Sequence, residues 1–425
     1  MKDYLIIADD FTGANDTGVQ LANLGVPVHV EFAVSQLHQG STVLDTETRN
    51  DSVTQAASKM AAVLPQIPWG QFDTVVKKVD STLRGNISTE VRALAEAYQP
   101  DIVAFAPALP DLDRTVVNGV LRVNGKRAMK TDFAKDPMKP ILTDQVTTLL
   151  QQAFPELGVA HYSLAQIRAT GFTLGKAAYC SFDAENNQDL ARVVSALKAT
   201  GKKVLWVGSA GLTTAIMMQA FNVLPALALI GSVSEVTRAQ LHAAEDNGVH
   251  LVNIPIYEAY ANQTYAPYVD EALAAFAQGR DVILMSSASY QRSELDKTIK
   301  ILSAHQLEAD KINELTQAVL SGICRKVLQR VKVAGLFVSG GETAKGLLRI
   351  GKATGAKVLT EIAPGIPLLE IAHGDFTGMR VITKAGAFGN KDLIVYAFKK
   401  IKKSQSLRCS SNCFTGGLTC NYKTA

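Results

Sequence analysis

Two adjacent carboxylates, Asp9 and Asp10, close the apolar run Leu5-Ile-Ile-Ala8 and lead into Phe11-Thr-Gly-Ala-Asn-Asp-Thr-Gly18, a Gly-containing turn with a helical pattern behind it. Groups at the carboxyl end of a strand in an open α/β sheet face the ligand crevice, so both carboxylates are placed where a substrate lies. Asp16, about two turns on, is a third candidate for that side. Taken alone, the pair also fits an acidic turn with a helix N-cap, a position that favours Asp and Thr. Two further polar clusters behind apolar runs in the same half of the chain shift the balance towards chemistry.

The second cluster is Thr74-Val-Val-Lys-Lys-Val-Asp-Ser-Thr-Leu-Arg-Gly-Asn86, in which Lys77, Lys78, Asp80, Ser81, Arg84 and Asn86 crowd a strand end and the loop behind it. Cations, an acid, hydroxyls and a glycine together suit a small polyhydroxylated anion. Lys and Arg hold a carboxylate, Asp accepts from hydroxyls, and Gly85 lets the backbone approach. Arg49, in Asp45-Thr-Glu-Thr-Arg-Asn-Asp51, is a further candidate. The third cluster, Ala104-Phe-Ala-Pro-Ala-Leu-Pro-Asp-Leu-Asp-Arg-Thr115, sets two prolines in a rigid loop around Asp113, Arg114 and Thr115. Turn chemistry explains its prolines as well as function does, so it is supportive only.

The C-terminal half carries a different chemistry. Leu336-Phe-Val-Ser-Gly-Gly-Glu-Thr343 reads as a strand, a Gly-Gly turn and a helix start, whose free amides suit phosphate. Val381-Ile-Thr-Lys-Ala-Gly-Ala-Phe-Gly389 puts a Gly-x-x-Gly behind a strand beside Lys384, and Gly231-Ser-Val-Ser234 follows another strand. Three such loops in one region favour a nucleotide-phosphate pocket. Neither the P-loop spacing nor the dinucleotide fingerprint Gly-x-Gly-x-x-Gly occurs, which weakens both of those alternatives.

Positioning these loops requires strands that end together. Strand candidates at Tyr4–Ala8, Val26–Phe32, Thr74–Lys78, Ile102–Ala106 and Val204–Val207 alternate with helical stretches such as Thr89–Tyr98 and Leu190–Ala199. That alternation argues for parallel βαβ units. A fresh series starts near Leu224–Ser232 and runs through Val249–Ile254, Val282–Met285, Ala334–Val338, Lys357–Thr360 and Val381–Lys384. The expected fold is two α/β domains, 1–222 and 223–400, each built on a mostly parallel sheet flanked by helices. From Ile401 the periodicity stops, and 401–425 is expected to be a disordered or artefactual tail. Its Cys409-x3-Cys413-x6-Cys420 spacing lacks a fourth ligand for zinc.

The formal charge of +4 hides an asymmetry: six basic residues and no acid lie from Lys399 onward, leaving the rest near −2. No global field for nucleic acid results. No apolar run reaches the ~20 residues of a membrane span, and no signal segment opens the chain; a soluble, cytoplasmic protein is expected. Cys180 and Cys324, isolated in the body, read as reduced, buried thiols.

The segments Ala8-Asp-Asp-Phe-Thr-Gly-Ala-Asn-Asp-Thr-Gly18, Lys77-Lys-Val-Asp-Ser-Thr-Leu-Arg-Gly85, Ala106-Pro-Ala-Leu-Pro110, Gly231-Ser-Val-Ser234, Ser339-Gly-Gly-Glu-Thr343 and Lys384-Ala-Gly-Ala-Phe-Gly389, in this order, resemble the four-carbon acid sugar kinase family. The resemblance implies an N-terminal domain for a short sugar acid and a C-terminal domain for ATP, with Mg²⁺. The reaction would be phosphorylation of the terminal hydroxyl of a four-carbon aldonate or its 3-oxo form. Asn15-Asp-Thr-Gly18 is closest to the branch acting on D-threonate, with D-erythronate and 3-oxo-tetronate as the alternatives. Carried over, Asp10, Arg49, Lys78, Val79, Asp80 and Ser81 would contact substrate, and the residue types read above add Asp9 and Arg84. Ser232, Ser234, Gly340, Gly341, Glu342, Thr343, Lys384, Gly386 and Gly389 would contact ATP. Asp10 and Asp80 are the contenders for the catalytic base; metal ligands are not assigned, and a homodimer is left open. An oxidoreductase would need the missing dinucleotide fingerprint, whereas a non-catalytic sensor would bind without turnover.

Overall fold

The computed structural model describes residues 3–402 apart from Gly25, Ser35, Gln36, His38 and Gln39. The chain divides into two compact units, one running through Asn222 and the other starting at Val223.

The first unit contributes strands β1 (Tyr4–Ala8), β2 (Val28–Glu31), β3 (Ser41–Asp45), β4 (Thr74–Lys78), β5 (Ile102–Ala106), β6 (Arg114–Val117), β7 (Val120–Val123), β8 (Lys126–Arg127), β9 (Val159–Tyr162), β10 (Tyr179–Phe182) and β11 (Val204–Gly208). Eight of them form a parallel sheet in the order β2-β3-β1-β4-β11-β5-β10-β9. Tyr4–Ala8 and Ile102–Ala106 are buried along their whole length, as expected of parallel strands covered by helices on both faces. From β1 the chain crosses to the edge strand β2, comes back to β3 beside β1, then passes to β4 on the other flank of β1. Strand order therefore reverses between β1 and β4, where open α/β sheets form their ligand crevice. Ala8 is in register with Asp45 on one side and Lys78 on the other, so the three strands end level. A small antiparallel sheet, β6-β7-β8, is inserted behind β5.

The second unit contributes β12 (Leu227–Ile230), β13 (His250–Ile254), β14 (Val282–Ser286), β15 (Leu336–Ser339), β16 (Ala356–Ala363), β17 (Ile366–Ile371) and β18 (Arg380–Lys384), in the order β13-β14-β12-β15-β18-β17-β16. The first five of that order are parallel; β16 and β17 add an antiparallel edge. Here the order reverses between β12 and β15. Ile230 pairs with Ser339 and Ser339 with Lys384, so the loops behind β12, β15 and β18 emerge side by side.

The body of the chain extends beyond the expected break at Ile401. The last helix spans 393–402, Ile401 is fully buried, and Lys402 Nζ meets Asp281 Oδ2 at 2.7 Å. Hydrophobic packing against the second core and an ion pair outweigh the basic composition that suggested an unstructured end. The remainder of the expected tail, with Cys409, Cys413 and Cys420, lies outside the described residues. Cys180 and Cys324 are buried free thiols. Among the described residues no helix is long and apolar enough to cross a membrane.

Candidate active site

Arg49, in the loop behind β3, is the hub of the first unit. Its Nε and Nη2 donate to the two oxygens of Asp9 at 2.9 and 2.8 Å, Nη1 donates to Asp10 Oδ2, and Nη1 lies 4.0 Å from Asp80 Oδ1. Backbone bonds set this up: the amides of Thr48 and Arg49 both donate to Asp9 O at 3.0 Å. Asp10 also caps the helix Phe11–Asn23, its Oδ1 accepting from Gly13 N at 2.9 Å. The N-cap and binding-site readings of Asp10 are thus compatible.

Two glycines let these groups converge. A Cβ on Gly13 would lie 2.5 Å from Asp10 Oδ1 and 3.0 Å from Lys78 Nζ. Gly85, at φ +104°, would place one 3.0 Å from Asp9 Oδ2; any side chain there meets both strain and a carboxylate.

Lys78 and Lys77 leave opposite faces of β4, as the two-residue pleat requires. Lys78 is buried and donates to Val79 O at 3.0 Å, which uses one of its three donors. Burial lowers its pKa, an effect opposed by Asp9 and by Asp80 and Asp16. Lys77 instead forms a fully buried ion pair with Glu90 of the helix Ile87–Tyr98, at 2.6 Å. Val79 is buried, with its amide on Gly208 O at 2.9 Å.

Asp80 is enclosed by donors. Arg84 Nε and Nη2 approach it at 2.8 and 3.2 Å, and the Thr82 hydroxyl bonds Oδ2. Burial pushes its pKa up, but the hydrogen bonds from Arg84, the charge of Arg49 and the Thr82 hydroxyl prevail and bring it down to about 2. Arg84 turns its remaining edge to Asp136, 2.9 Å away.

The second unit brings three strand-end loops together. Ser234 caps the helix Glu235–Asp246, and its Oγ donates to Gly386 O at 2.6 Å. Lys384 Nζ donates to Gly386 O at 2.8 Å and to Thr237 Oγ1 at 3.1 Å, and Thr237 Oγ1 donates to Ser232 Oγ at 3.1 Å. A Cβ on Gly231 would lie 2.3 Å from Thr343 Oγ1, and one on Gly386 would lie 2.7 Å from Ser232 Oγ. Gly340, at φ +111°, precedes the helix Gly341–Ile350, and a Cβ on Gly341 would meet nothing within 4 Å. Lys384 is buried, which lowers its pKa to about 8. Helix starts, hydroxyls and one buried cation are together the chemistry that suits phosphate groups.

Residues 4–216 match the family model described as a sugar-binding N-terminal domain, and residues 227–394 match a nucleotide-binding C-terminal domain. The chain belongs to the four-carbon acid sugar kinase family. It is similar to a D-threonate kinase of Salmonella typhimurium, 32% identical over 420 residues that cover 94% of this chain and 98% of the relative. A D-erythronate kinase of Heliobacterium modesticaldum is 27% identical, with 92% and 95% covered, and a 3-oxo-tetronate kinase of Actinobacillus succinogenes is 25% identical, with 92% and 98% covered. A Bordetella bronchiseptica crystal structure, described as a citrate-bound, domain-swapped dimer, is 25% identical with a TM-score of 0.54; it covers 94% of this chain and 98% of its own. This kinase therefore uses ATP and acts on a tetronate-type sugar acid.

Against that activity, the expected residues fall into distinct places. Asp9, Asp10, Arg49, Lys78 and Asp80 meet at the carboxyl ends of β1 and β4, with Arg84 behind Asp80 and Ser81 half-buried in the same turn. Asp16 is exposed on its helix, reaching Lys78 through its charge. Arg114 and Thr115 open β6 of the inserted sheet, and Asp113 immediately precedes it. Glu342 is exposed and pairs with Lys345 at 2.8 Å. Gly389, at φ +80°, would press a Cβ to 2.4 Å from Leu393, so it serves packing. Thr82, Thr237, Asp136 and Lys139 were not legible as site residues. The first two follow from caps and turns; the last two sit in a loop far along the chain.

Proposed function

We propose that this kinase transfers the γ-phosphoryl group of MgATP to the 4-hydroxyl of D-threonate. The observation that carries the reading is the meeting of Asp9, Asp10, Arg49, Lys78 and Asp80 where strand order reverses in the first unit, a cluster in which Lys78 keeps donors for a carboxylate and Asp10 keeps exposure to a hydroxyl. The choice of D-threonate rests on the Salmonella typhimurium relative and on Asn15-Asp-Thr-Gly18. A cytoplasmic setting suits ATP-dependent metabolism of this kind, and the dimer of the Bordetella bronchiseptica protein makes a homodimer the assembly to look for.

In this reading Lys78 grips the substrate carboxylate and Arg49 holds the two aspartates at fixed spacing. Asp10, 23% exposed at its side chain against 10% for Asp80, orients the 4-hydroxyl and takes its proton. The hydroxyl oxygen then bonds to the γ-phosphorus while the bond to the β–γ bridging oxygen breaks, and ADP departs. Asp80, held near a pKa of 2, has little basicity left; it serves instead as the anchor of its loop and an acceptor for a substrate hydroxyl. In the second unit, the amides behind Ser234 and Gly340 and the Lys384 ammonium take the phosphates, since phosphoryl transfer depends on charge neutralisation and alignment.

Mg²⁺ fits as the counterion of those phosphates, where it would supply further charge neutralisation. Among the described residues no cluster of three or more His, Cys, Asp or Glu could hold a metal ion.

The test is ADP release with D-threonate, D-erythronate, L-threonate and 3-oxo-tetronate, with the product located by ³¹P and ¹³C NMR. D-threonate should give the highest kcat/KM and a 4-phosphate. A different leading acid would move the substrate assignment, and ADP from none of them would overturn the kinase reading.

A further inference from the structure

We infer that Asp136 and Lys139, on the loop 131–140 that follows the inserted sheet, are positioning residues for phosphoryl transfer: they lock the two substrate loops, 46–51 and 79–86, in one arrangement. The inference rests on the site proposed above, and none of the motifs read from the sequence includes either residue.

The bonds form a closed circuit. Arg84 Nε and Nη2 fork onto Asp80, while Nη1 donates to Asp136 Oδ2 at 2.9 Å and the guanidinium sits 5.6 Å from the Phe133 ring centroid. Asp136 is itself fixed, its Oδ1 accepting from the amides of Met138 and Lys139 at 2.9 and 3.0 Å. Lys139 Nζ then donates to Asn86 Oδ1 at 2.9 Å and to Asp51 O at 2.6 Å. Asn86 Nδ2 donates to Thr48 O at 2.8 Å and to Asp51 O at 3.0 Å, tying the end of one substrate loop to the other. The loop holding Arg49 and the loop holding Asp80 are thus clamped by a third segment more than 45 residues beyond either.

An arginine beside a single carboxylate can rotate about its long stem; one held by a carboxylate on each side cannot without breaking charge-assisted bonds. Asp136 removes that freedom from Arg84, and so from Asp80. Asp136 and Lys139 carry opposite charges, so the clamp adds no net charge to a site that receives an anion. It acts on geometry, and misplacement by about 1 Å costs on the order of 10²-fold in rate.

The test uses the full chain with Asp136→Asn, Asp136→Glu and Lys139→Met. Asp136→Asn and Lys139→Met should each lower kcat/KM for the sugar acid at least 10-fold, leave the KM for ATP within 2-fold, and speed amide hydrogen exchange across 79–86. Asp136→Glu should recover most of the loss. Wild-type kinetics in Asp136→Asn would overturn the inference, as would a glutamate variant no better than the asparagine one. So would an activity loss that accompanies a lower Tm with unchanged exchange over 79–86. If wild-type protein phosphorylates no four-carbon acid, the kinase proposal fails, and the exchange comparison alone still decides whether Asp136 orders the loop.

Discussion

Arg49 and Asp9 meet as two planar groups, Nε on Oδ2 at 2.9 Å and Nη2 on Oδ1 at 2.8 Å, with the carboxylate 1% exposed. This is the fork geometry in which arginine outperforms lysine. So far from water, the Asp9 carboxylate depends on the cations beside it, Arg49 through the fork and Lys78 through its charge. Burial opposes the Arg49 charge, but Asp9 prevails, and the guanidinium is held above its ordinary pKa.

Removing Arg49 should therefore cost both stability and turnover. Arg49→Met strips Asp9 of its hydrogen-bonded partner, and a broken buried pair costs about 3–5 kcal/mol, readable as a lower urea midpoint. Arg49→Lys should recover part of the stability but little of kcat/KM, because a point charge cannot reproduce the fork. Equal recovery of both would show that charge alone matters at this position.

Asp10→Asn should depress kcat by about 10²–10⁴ with a modest change in KM, the signature of a lost base. Asp80→Asn should raise the KM of the sugar acid more than it lowers kcat. Steady-state kinetics on both variants separates them, and the opposite pattern would exchange their roles. Lys78→Met, removing the carboxylate grip, belongs with the KM class.

Acid should loosen the first unit through Asp80. Its folded pKa of about 2 lies below the ordinary 3.8, so its stabilisation is fully present above pH 4 and is lost as pH falls through about 2. The linked contribution is on the order of 2 kcal/mol. Denaturation curves between pH 2 and 5 should show a shallower acid slope in Asp80→Asn than in wild type.

Nucleotide affinity should fall as pH rises through about 8, where burial has placed the Lys384 ammonium. Below that value the cation is present for the phosphates; above it the charge is gone. Bound phosphate will raise the crossing point, so the KM of ATP should climb more steeply with pH than kcat falls. Lys384→Arg, charged throughout, should flatten the profile.

Gly341→Val tests the glycine loops sterically. The free chain has open space at that Cβ, so Tm should hold while calorimetry shows weaker ATP binding and near-normal sugar-acid binding. Lost sugar-acid binding with intact ATP binding would reverse the roles assigned to the two units.

Much of the scaffold was legible locally. The apolar runs at Tyr4–Ala8, Thr74–Lys78 and Ile102–Ala106 coincide with β1, β4 and β5, and Leu336-Phe-Val-Ser-Gly-Gly reads directly as strand, turn and helix start. Such features depend on neighbours within a few positions, through side-chain period and turn chemistry. Strand β3, Ser41–Asp45, was not legible: its Ser and Thr dilute the apolar run, and its burial comes from lying beside β1. β9 and β10, four residues each, were missed for similar reasons, and β17, Ile366–Ile371, carries Pro367 and Glu370, which break its strand pattern.

By itself the sequence determined which residue types stand behind which strands, that one half of the chain collects carboxylates and cations and the other collects glycine loops, and the family. Tertiary structure decided which of them touch. Lys77 and Lys78 are neighbours in sequence, yet one enters a buried pair with Glu90 and the other faces the site, a distinction set by the pleat and by which helix covers each face. Arg49 joins Asp9 across 40 positions and Arg84 joins Asp136 across 52. Strand order and loop packing, which no local pattern encodes, bring those charges within bonding distance.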